Sequence, residues 1–359
     1  MTDFIKITDK YQNLRAEREI FAQKFLSGER PYMIFQTPSG DVWGDIRTPG
    51  QSFEKNMEYI ETSLCIPSEH LPILEPWFGT GVFANMYGCP YVFRDGQPPA
   101  VHYKYHTPDE IIGLPKPSWQ NGEIAGLVLD TIKYFKEKTG DAIPIVWTDT
   151  QSASDTATLI LDASEVFIAC MLEPEVIMKF MQDINKLTIE FSQVQAEYIG
   201  NALIEPGHIM LSNTGFRGLS IADDNLAVAS PSVNRDFNLA LDEEIGRAFG
   251  GVAIHSCGQW THTMPMLKKE VPSCVAIDCA VDISWDPNPN KPEEVRDAMA
   301  GTGIHVHART SGETDKMLED VKRLFHPDLK LIVHPNFIDF KTAQRNYGEL
   351  DKLLKRLYK

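Results

Sequence analysis

Residues 251–280 read GVAIHSCGQWTHTMPMLKKEVPSCVAIDCA. The apolar triplet Val-Ala-Ile stands at 252–254 and again at 275–277. Each copy runs into polar residues, His255-Ser256-Cys257-Gly258 after the first and Asp278-Cys279 after the second. Short runs with wholly apolar interiors suit strands buried on both faces, which is the condition of a parallel sheet. The intervening 261–271 carries a helical pattern, so the stretch reads as one strand–helix–strand unit.

The same alternation recurs on both sides of it. Candidate strands lie at 31–36, 71–76, 143–149, 219–223, 251–257, 274–279, 304–309 and 329–334. Helical patterns fall at 124–139, 175–199, 232–249, 261–271, 292–300 and 314–324, with another at 341–358 after the last strand. An amphipathic helix over 8–28 leads in, with Phe21 and Phe25 four residues apart and Gly28 at its close. Eight strands alternating with helices predict an α/β protein, a single (β/α)8 TIM barrel spanning 1–359. No GxGxxG follows an early strand, which disfavours a doubly wound sheet. Residues 77–122 hold many Gly and Pro and read as an insertion after the second strand. Its aromatics (Trp77, Phe78, Phe83, Tyr87, Tyr91, Phe93, Tyr103 and Tyr105) are expected to form a lid over the barrel mouth, the alternative being a packed minor core.

The 359 residues are 43% hydrophobic and 23% charged, an ordinary globular balance. Fifty acidic against 34 basic side chains leave a charge of −16, which repels phosphate backbones and anionic lipid. Neither nucleic acid nor membrane is therefore an expected partner. No run approaches the roughly 18 apolar residues of a membrane span, and no basic and apolar leader opens the chain, so a cytoplasmic location is expected. The six Cys (65, 89, 170, 257, 274 and 279) form no CxxC pair and read as reduced thiols.

In such a barrel the chemistry sits at the C-terminal strand ends. Those ends carry Glu75, Asp149, Asp223-Asp224, His255-Ser256-Cys257, Asp278-Cys279, His307 with Arg309, and His334. A purely structural barrel has no reason to collect so many titratable groups there, so an enzyme is expected. Glu75, with Trp77 close by, reads as a partly buried acid or base, and Asp149 and Asp223 are further catalytic candidates. The bland alternative for Asp223-Asp224 is a helix cap or a pair of solvated carboxylates. Asp224, His307 and Arg309 are the expected cofactor contacts. Because His305 and His307 alternate, only one of them faces the barrel interior. His255 and Cys257, two residues apart, point to the same side of their strand and suit Zn2+. Further ligands are sought among Asp278 or Cys279, His307 and His334; the alternative is a buried Cys beside a hydrogen-bonded core His.

The blocks Leu74-Glu75-Pro76-Trp77-Phe78-Gly79-Thr80-Gly81, Thr148-Asp149-Thr150-Gln151, Ala222-Asp223-Asp224 with Ser230-Pro231, and Ala253–Gly258 carry a resemblance. The chain is similar to the superfamily of uroporphyrinogen decarboxylase, the corrinoid methyltransferases that act on coenzyme M, and cobalamin-independent methionine synthase. It lies closer to the methyltransferase branch. The resemblance implies a barrel with its site in the mouth and a zinc held by His255 and Cys257. Asp278 stands where methionine synthase has an acidic ligand. The late Cys ligand of the family has no counterpart in Val333-His334-Pro335-Asn336-Phe337, where Phe337 takes its place and His334 is the substitute ligand. The implied activity is zinc-dependent methyl transfer between a corrinoid and a thiol, the corrinoid being a substrate or carried on a partner protein. Two alternatives remain. One is a metal-independent decarboxylase acting on uroporphyrinogen or a related tetrapyrrole acid, and the other is a non-catalytic corrinoid-binding protein.

Overall fold

The structure is a computed structural model that describes residues 4–359 except 39 and 41, with side chains from residue 9 onward. Eight strands occur in chain order among the described residues: β1 Tyr32–Ile34, β2 Tyr91–Val92, β3 Ala100–Val101, β4 Leu219–Ala222, β5 Val252–His255, β6 Cys274–Ala280, β7 His305–Thr310 and β8 Lys330–Pro335. Six of them form one parallel sheet in the order β1-β8-β7-β6-β5-β4. The other two pair as an antiparallel hairpin.

Segments 71–76 and 143–149 close the ring between β1 and β4. Glu69 N donates to Ile34 O at 2.9 Å, and Leu74 bridges Ile145 in parallel. Gln151 then bridges Ala222 on β4. These two positions are bridges rather than full strands because Pro72, Pro76 and Pro144 remove ladder donors within them. The result is the (β/α)8 barrel anticipated from the alternation. The triplets at 252–254 and 275–277 lie side by side on β5 and β6, Ile254 opposite Ile277 and His255 opposite Asp278. That register is what brings the polar strand ends together.

Most helices match the patterned stretches, including Phe4–Ser27, Glu123–Thr139, Pro174–Ile199, Thr314–Leu324 and Phe340–Leu357. The stretch 261–271 is shorter than its pattern, reduced to Met264–Met266 and Leu267–Glu270. Helices Pro49–Ser63, Ala153–Ile160 and Ala163–Leu172 had no sequence counterpart. Their starts are nonetheless capped by Thr48, Ser152 and Asp162, whose side chains accept from backbone N–H groups. Gly218, at φ +96, lies where β4 meets the neighbouring strand, and a Cβ there would come 2.5 Å from the Gly251 carbonyl carbon.

Residues 77–122 form a compact annex holding helix Val82–Met86 and the hairpin. Phe78 and Phe83 are fully buried and join the cluster of Ile132, Phe135 and Phe191, with Phe83 edge-on to Phe191 at 5.9 Å. No helix among the described residues is long and apolar enough to cross a membrane.

Candidate active site

The end of β5 places His255, only 3% exposed, at the centre of the barrel mouth. Its Nδ1 lies 2.7 Å from Asp278 Oδ1, across the β5–β6 register. Its Nε2 faces Cys257 Sγ at 3.4 Å and Asp224 Oδ1 at 3.8 Å. The ligand atoms of Asp224, His255 and Cys257 all lie within 4.8 Å of one another. The loops that carry them are tied together, since Cys257 N donates to Asp224 Oδ1 at 2.7 Å and Gly258 N donates to Asp286 Oδ2 at 2.8 Å. Asp155 in turn accepts from the backbone N–H groups of Asp224 and Asn225 at 2.7 and 2.9 Å. The carboxylate at 224 is therefore held by its own backbone as well as by Cys257.

Burial, together with the Asp224 carboxylate beside it, pushes the Cys257 thiol up to about 12. The protein alone thus keeps a neutral thiol here, whereas a bound dication deprotonates a coordinating thiol outright. One oxygen, one imidazole nitrogen and one sulfur within 4.8 Å of one another is a donor set of the kind zinc takes.

Asp278 has a different role from the one the sequence suggests. It is fully buried behind His255, and Arg309 Nε pairs with its Oδ1 at 2.9 Å. Burial opposes ionisation, but Arg309 and then His255 hold its carboxyl well below the usual range. Asp278 is thus the anion that orients the His255 ring, as carboxylates do for metal-binding histidines. The third group that could hold a metal with His255 and Cys257 is instead Asp224, expected as a cofactor contact. Replacing Asp278 with Asn should weaken zinc binding by about 10- to 100-fold while leaving all three donors in place, which a competitive chelator titration would measure.

His334 is likewise not part of the triad. Its ring stacks on Phe35 at 4.1 Å between centroids, and Nε2 lies 3.2 Å from Thr37 Oγ1. Burial keeps it neutral, well below the ordinary imidazole range. β8 sets it beside Phe35 and Thr37, and its ring nitrogens are not among the ligand atoms that gather around His255. His307 faces the interior as the alternation requires, with His305 turned outward onto Phe25. It is 1% exposed, packs on Phe35 at 4.9 Å and is not among the residues lining the mouth cavity. Burial lowers its pKa to about 4.

Asp223 also departs from its catalytic assignment. Alternation along the strand end turns it away from the mouth into a fully buried group with Asp155 and Asp242. Burial and the Asp242 carboxylate push its carboxyl well above the ordinary range.

Glu75 and Asp149 meet through a residue the sequence reading missed. His208 Nδ1 lies 2.5 Å from Glu75 Oε1, and its Nε2 lies 3.6 Å from Asp149 Oδ2. Trp43 Nε1 donates to Glu75 Oε2 at 3.0 Å, Trp77 Nε1 to Asp149 Oδ2 at 3.1 Å, and Gln151 to Asp149 Oδ1 at 2.7 Å. Burial alone lowers the His208 pKa, but Asp149 and Glu75 overcome it and hold the imidazole up at about 9. His208 sits in the aperiodic stretch between helix Pro174–Ile199 and β4. The signals available there were the Pro206-Gly207 turn, with Gly207 at φ +107, and Ile209, a β-branched residue at φ 63. Such a backbone outlier beside polar groups is a mark of a functional site.

A cavity of about 300 Å3 opens beside these groups. Phe35, Trp43, Tyr59, Trp285, Arg309 and Phe337 contribute to its walls, and none of residues 77–122 does. The lid expected from the 77–122 aromatics is therefore supplied instead by the loops after β1, β6 and β8. Phe78, Phe83, Tyr87, Tyr91 and Phe93 pack inward because helices Glu123–Thr139 and Pro174–Ile199 offer them an apolar face.

A (β/α)8 barrel that collects its polar side chains at the C-terminal mouth defines the class of protein. Within that class, the model of the uroporphyrinogen decarboxylase (URO-D) family matches residues 77–302, well over half of the chain, and the chain belongs to this family. Among solved structures, a methyltransferase from Methanosarcina mazei superposes with a TM-score of 0.63 at 16% identity, over 91% of this chain and 94% of that one. At this identity the likeness speaks for the fold. A DUF72 family protein from Enterococcus faecalis, at 13% identity over 70% of this chain and 88% of that one, reaches a TM-score of only 0.27 and carries no argument. No curated protein sequence matches the chain.

Proposed function

We propose that the protein is a zinc-dependent methyltransferase that moves a methyl group between a corrinoid and a small thiol. The observation that carries this reading is the Asp224–His255–Cys257 triad with Asp278 fixed behind the imidazole. When bound, zinc would supply a Lewis acid that lowers the pKa of a thiol in its open position. Cys257 and Asp224 bring negative charge to the ion, and His255 brings a neutral nitrogen of set orientation. Arg309 holds Asp278 ionised and so keeps the ring from turning. Trp43 and Trp285 wall the neighbouring cavity. A cavity of about 300 Å3 is far too small to swallow a corrinoid. The methyl donor would therefore face the mouth from outside, on a partner corrinoid protein.

The decarboxylase reading is the less favoured one. A porphyrinogen with many carboxylates needs several cations, because each unpaired buried carboxylate costs several kcal/mol. Arg309 is the one Arg or Lys among the described residues lining this cavity, and its Nε is already paired.

The test is anaerobic incubation with methylcobalamin and a panel of thiols, read by loss of the methylcobalamin absorbance, alongside zinc analysis. The expected result is about one zinc per chain and thiol-dependent demethylation that stops with chelator. Metal-free protein from a chelator-free purification, or carbon dioxide release from uroporphyrinogen that ignores chelator, overturns the proposal.

A further inference from the structure

The metal triad does not explain the walls of the mouth cavity. Five aromatic rings, from Phe35, Trp43, Tyr59, Trp285 and Phe337, surround its 300 Å3 or so. That volume is at the small end for ligand cavities and admits a single ring system. Aromatic walls favour a flat occupant, which they meet by offset or edge-on contact.

Charge then decides which flat molecule. Aromatic walls with a carboxylate are the usual receptor for an organic cation, and Glu75 does line the cavity. Both Glu75 oxygens are spent, however, one on His208 and the other on Trp43. Among the lining residues the unmet hydrogen-bonding capacity belongs to Arg309, His334 and His70, and of these only Arg309 carries a charge. Arg309 is 7% exposed and lines the cavity; its Nε forms an ion pair with Asp278, and neither Nε nor Nη2 has a hydrogen-bond acceptor in the protein. His334, another lining residue, has an unpartnered Nδ1. A buried guanidinium nitrogen without an acceptor is costly, and the guanidinium fork matches the two oxygens of one carboxylate. The guanidinium also lies over the Trp285 ring, 5.6 Å from its centroid, and Trp285 Nε1 donates to Thr310 O at 2.8 Å. Ring wall and anion contact are therefore adjacent and fixed to one strand.

We propose that this cavity binds an aromatic monocarboxylate, with its ring among the aromatic side chains and its carboxylate on Arg309. Binding at this cavity needs no metal and does not rest on the methyl-transfer reading. Arg309 is the wall the two sites share, since it lines the cavity and also pairs with the Asp278 that orients His255.

Calorimetric titration of the full-length protein with benzoate, benzamide, cyclohexanecarboxylate and benzyltrimethylammonium tests this. Benzoate is expected to bind at least about tenfold more tightly than each of the other three, as a charge-assisted contact plus ring stacking requires. Trp285→Leu and Arg309→Lys should each weaken benzoate by about tenfold, the second because a lysine lacks the planar fork. If Arg309→Lys fails to fold, Trp285→Leu, at the cavity rim, decides the matter. Cys257→Ser should leave benzoate affinity unchanged even where it empties the metal site, so the two proposals fail separately. Equal binding of benzamide or of the ammonium ion, or no benzoate binding at millimolar concentration, overturns the assignment.

Discussion

Replacing Cys257 with serine is expected to take bound zinc from about one per chain to near zero and to reduce thiol methylation at least about 100-fold. The argument is one of donor chemistry. The variant is isosteric and the backbone N–H of residue 257 still reaches Asp224, so the loop keeps its shape. A serine hydroxyl is a hard, weakly acidic donor in place of a thiolate, and only Asp224 and His255 remain as ligands. The loss should exceed that of Asp278→Asn, because that change loosens the orientation of one ligand while this one removes a ligand. Zinc analysis with circular dichroism as a folding control measures it. A folded Cys257→Ser protein that still carries stoichiometric zinc and methylates thiols at the parent rate would refute the triad as the metal centre.

The second large effect is on stability, and it lies in the Glu75–His208–Asp149 cluster. Glu75→Gln is expected to cost about 3 kcal/mol or more at pH 7, because removing one partner strands a buried imidazolium against a single carboxylate. The pH dependence follows from the direction of the shift. His208 is raised from the ordinary 6.5 to about 9. Its contribution is therefore complete below about pH 6.5 and disappears as the pH rises through about 9, a swing on the order of 3 kcal/mol. Urea unfolding at pH 7 and pH 10 should show the parent protein losing markedly more stability between the two than Glu75→Gln does. Parallel losses in the two proteins would mean that His208 is not held charged by Glu75. Asp278 contributes with the opposite sense: its carboxyl is depressed, so that part of the stability is present at neutral pH and fades as the solution is acidified.

Much of the molecule was legible in one dimension. The Val-Ala-Ile repeats at 252–254 and 275–277 identified neighbouring parallel strands because an apolar strand interior is a local property. Segments 71–76 and 143–149 were legible as barrel positions but not as bridges, since their prolines act through ladder bonds to partners far along the chain. His255 and Cys257 were found because they share one strand end. Asp224 was singled out there, but its place beside His255 and Cys257 was not legible, because the Cys257 N–H and Asp155 hold it from other elements.

The assignments that changed did so for the same reason. Asp278 and Asp224 are one strand and one loop away from His255, and only the β5–β6 register decides which of them stands behind the ring and which in front. His334 and Asp223 sit at strand ends as expected, yet side-chain direction carries one onto Phe35 and the other into a buried carboxylate group. His208 had no periodic context at all and becomes visible only when Glu75 and Asp149 close on it. By itself the sequence determined the alternation of buried strands and helices, the barrel that follows from it, and which residue types crowd its mouth, since apolar periodicity and strand-end chemistry are local. Only the tertiary structure decided which of those residues touch. Ligation, ion pairing and cavity walls depend on distances of a few ångströms between segments that are remote in sequence, and strand register and side-chain direction set those distances.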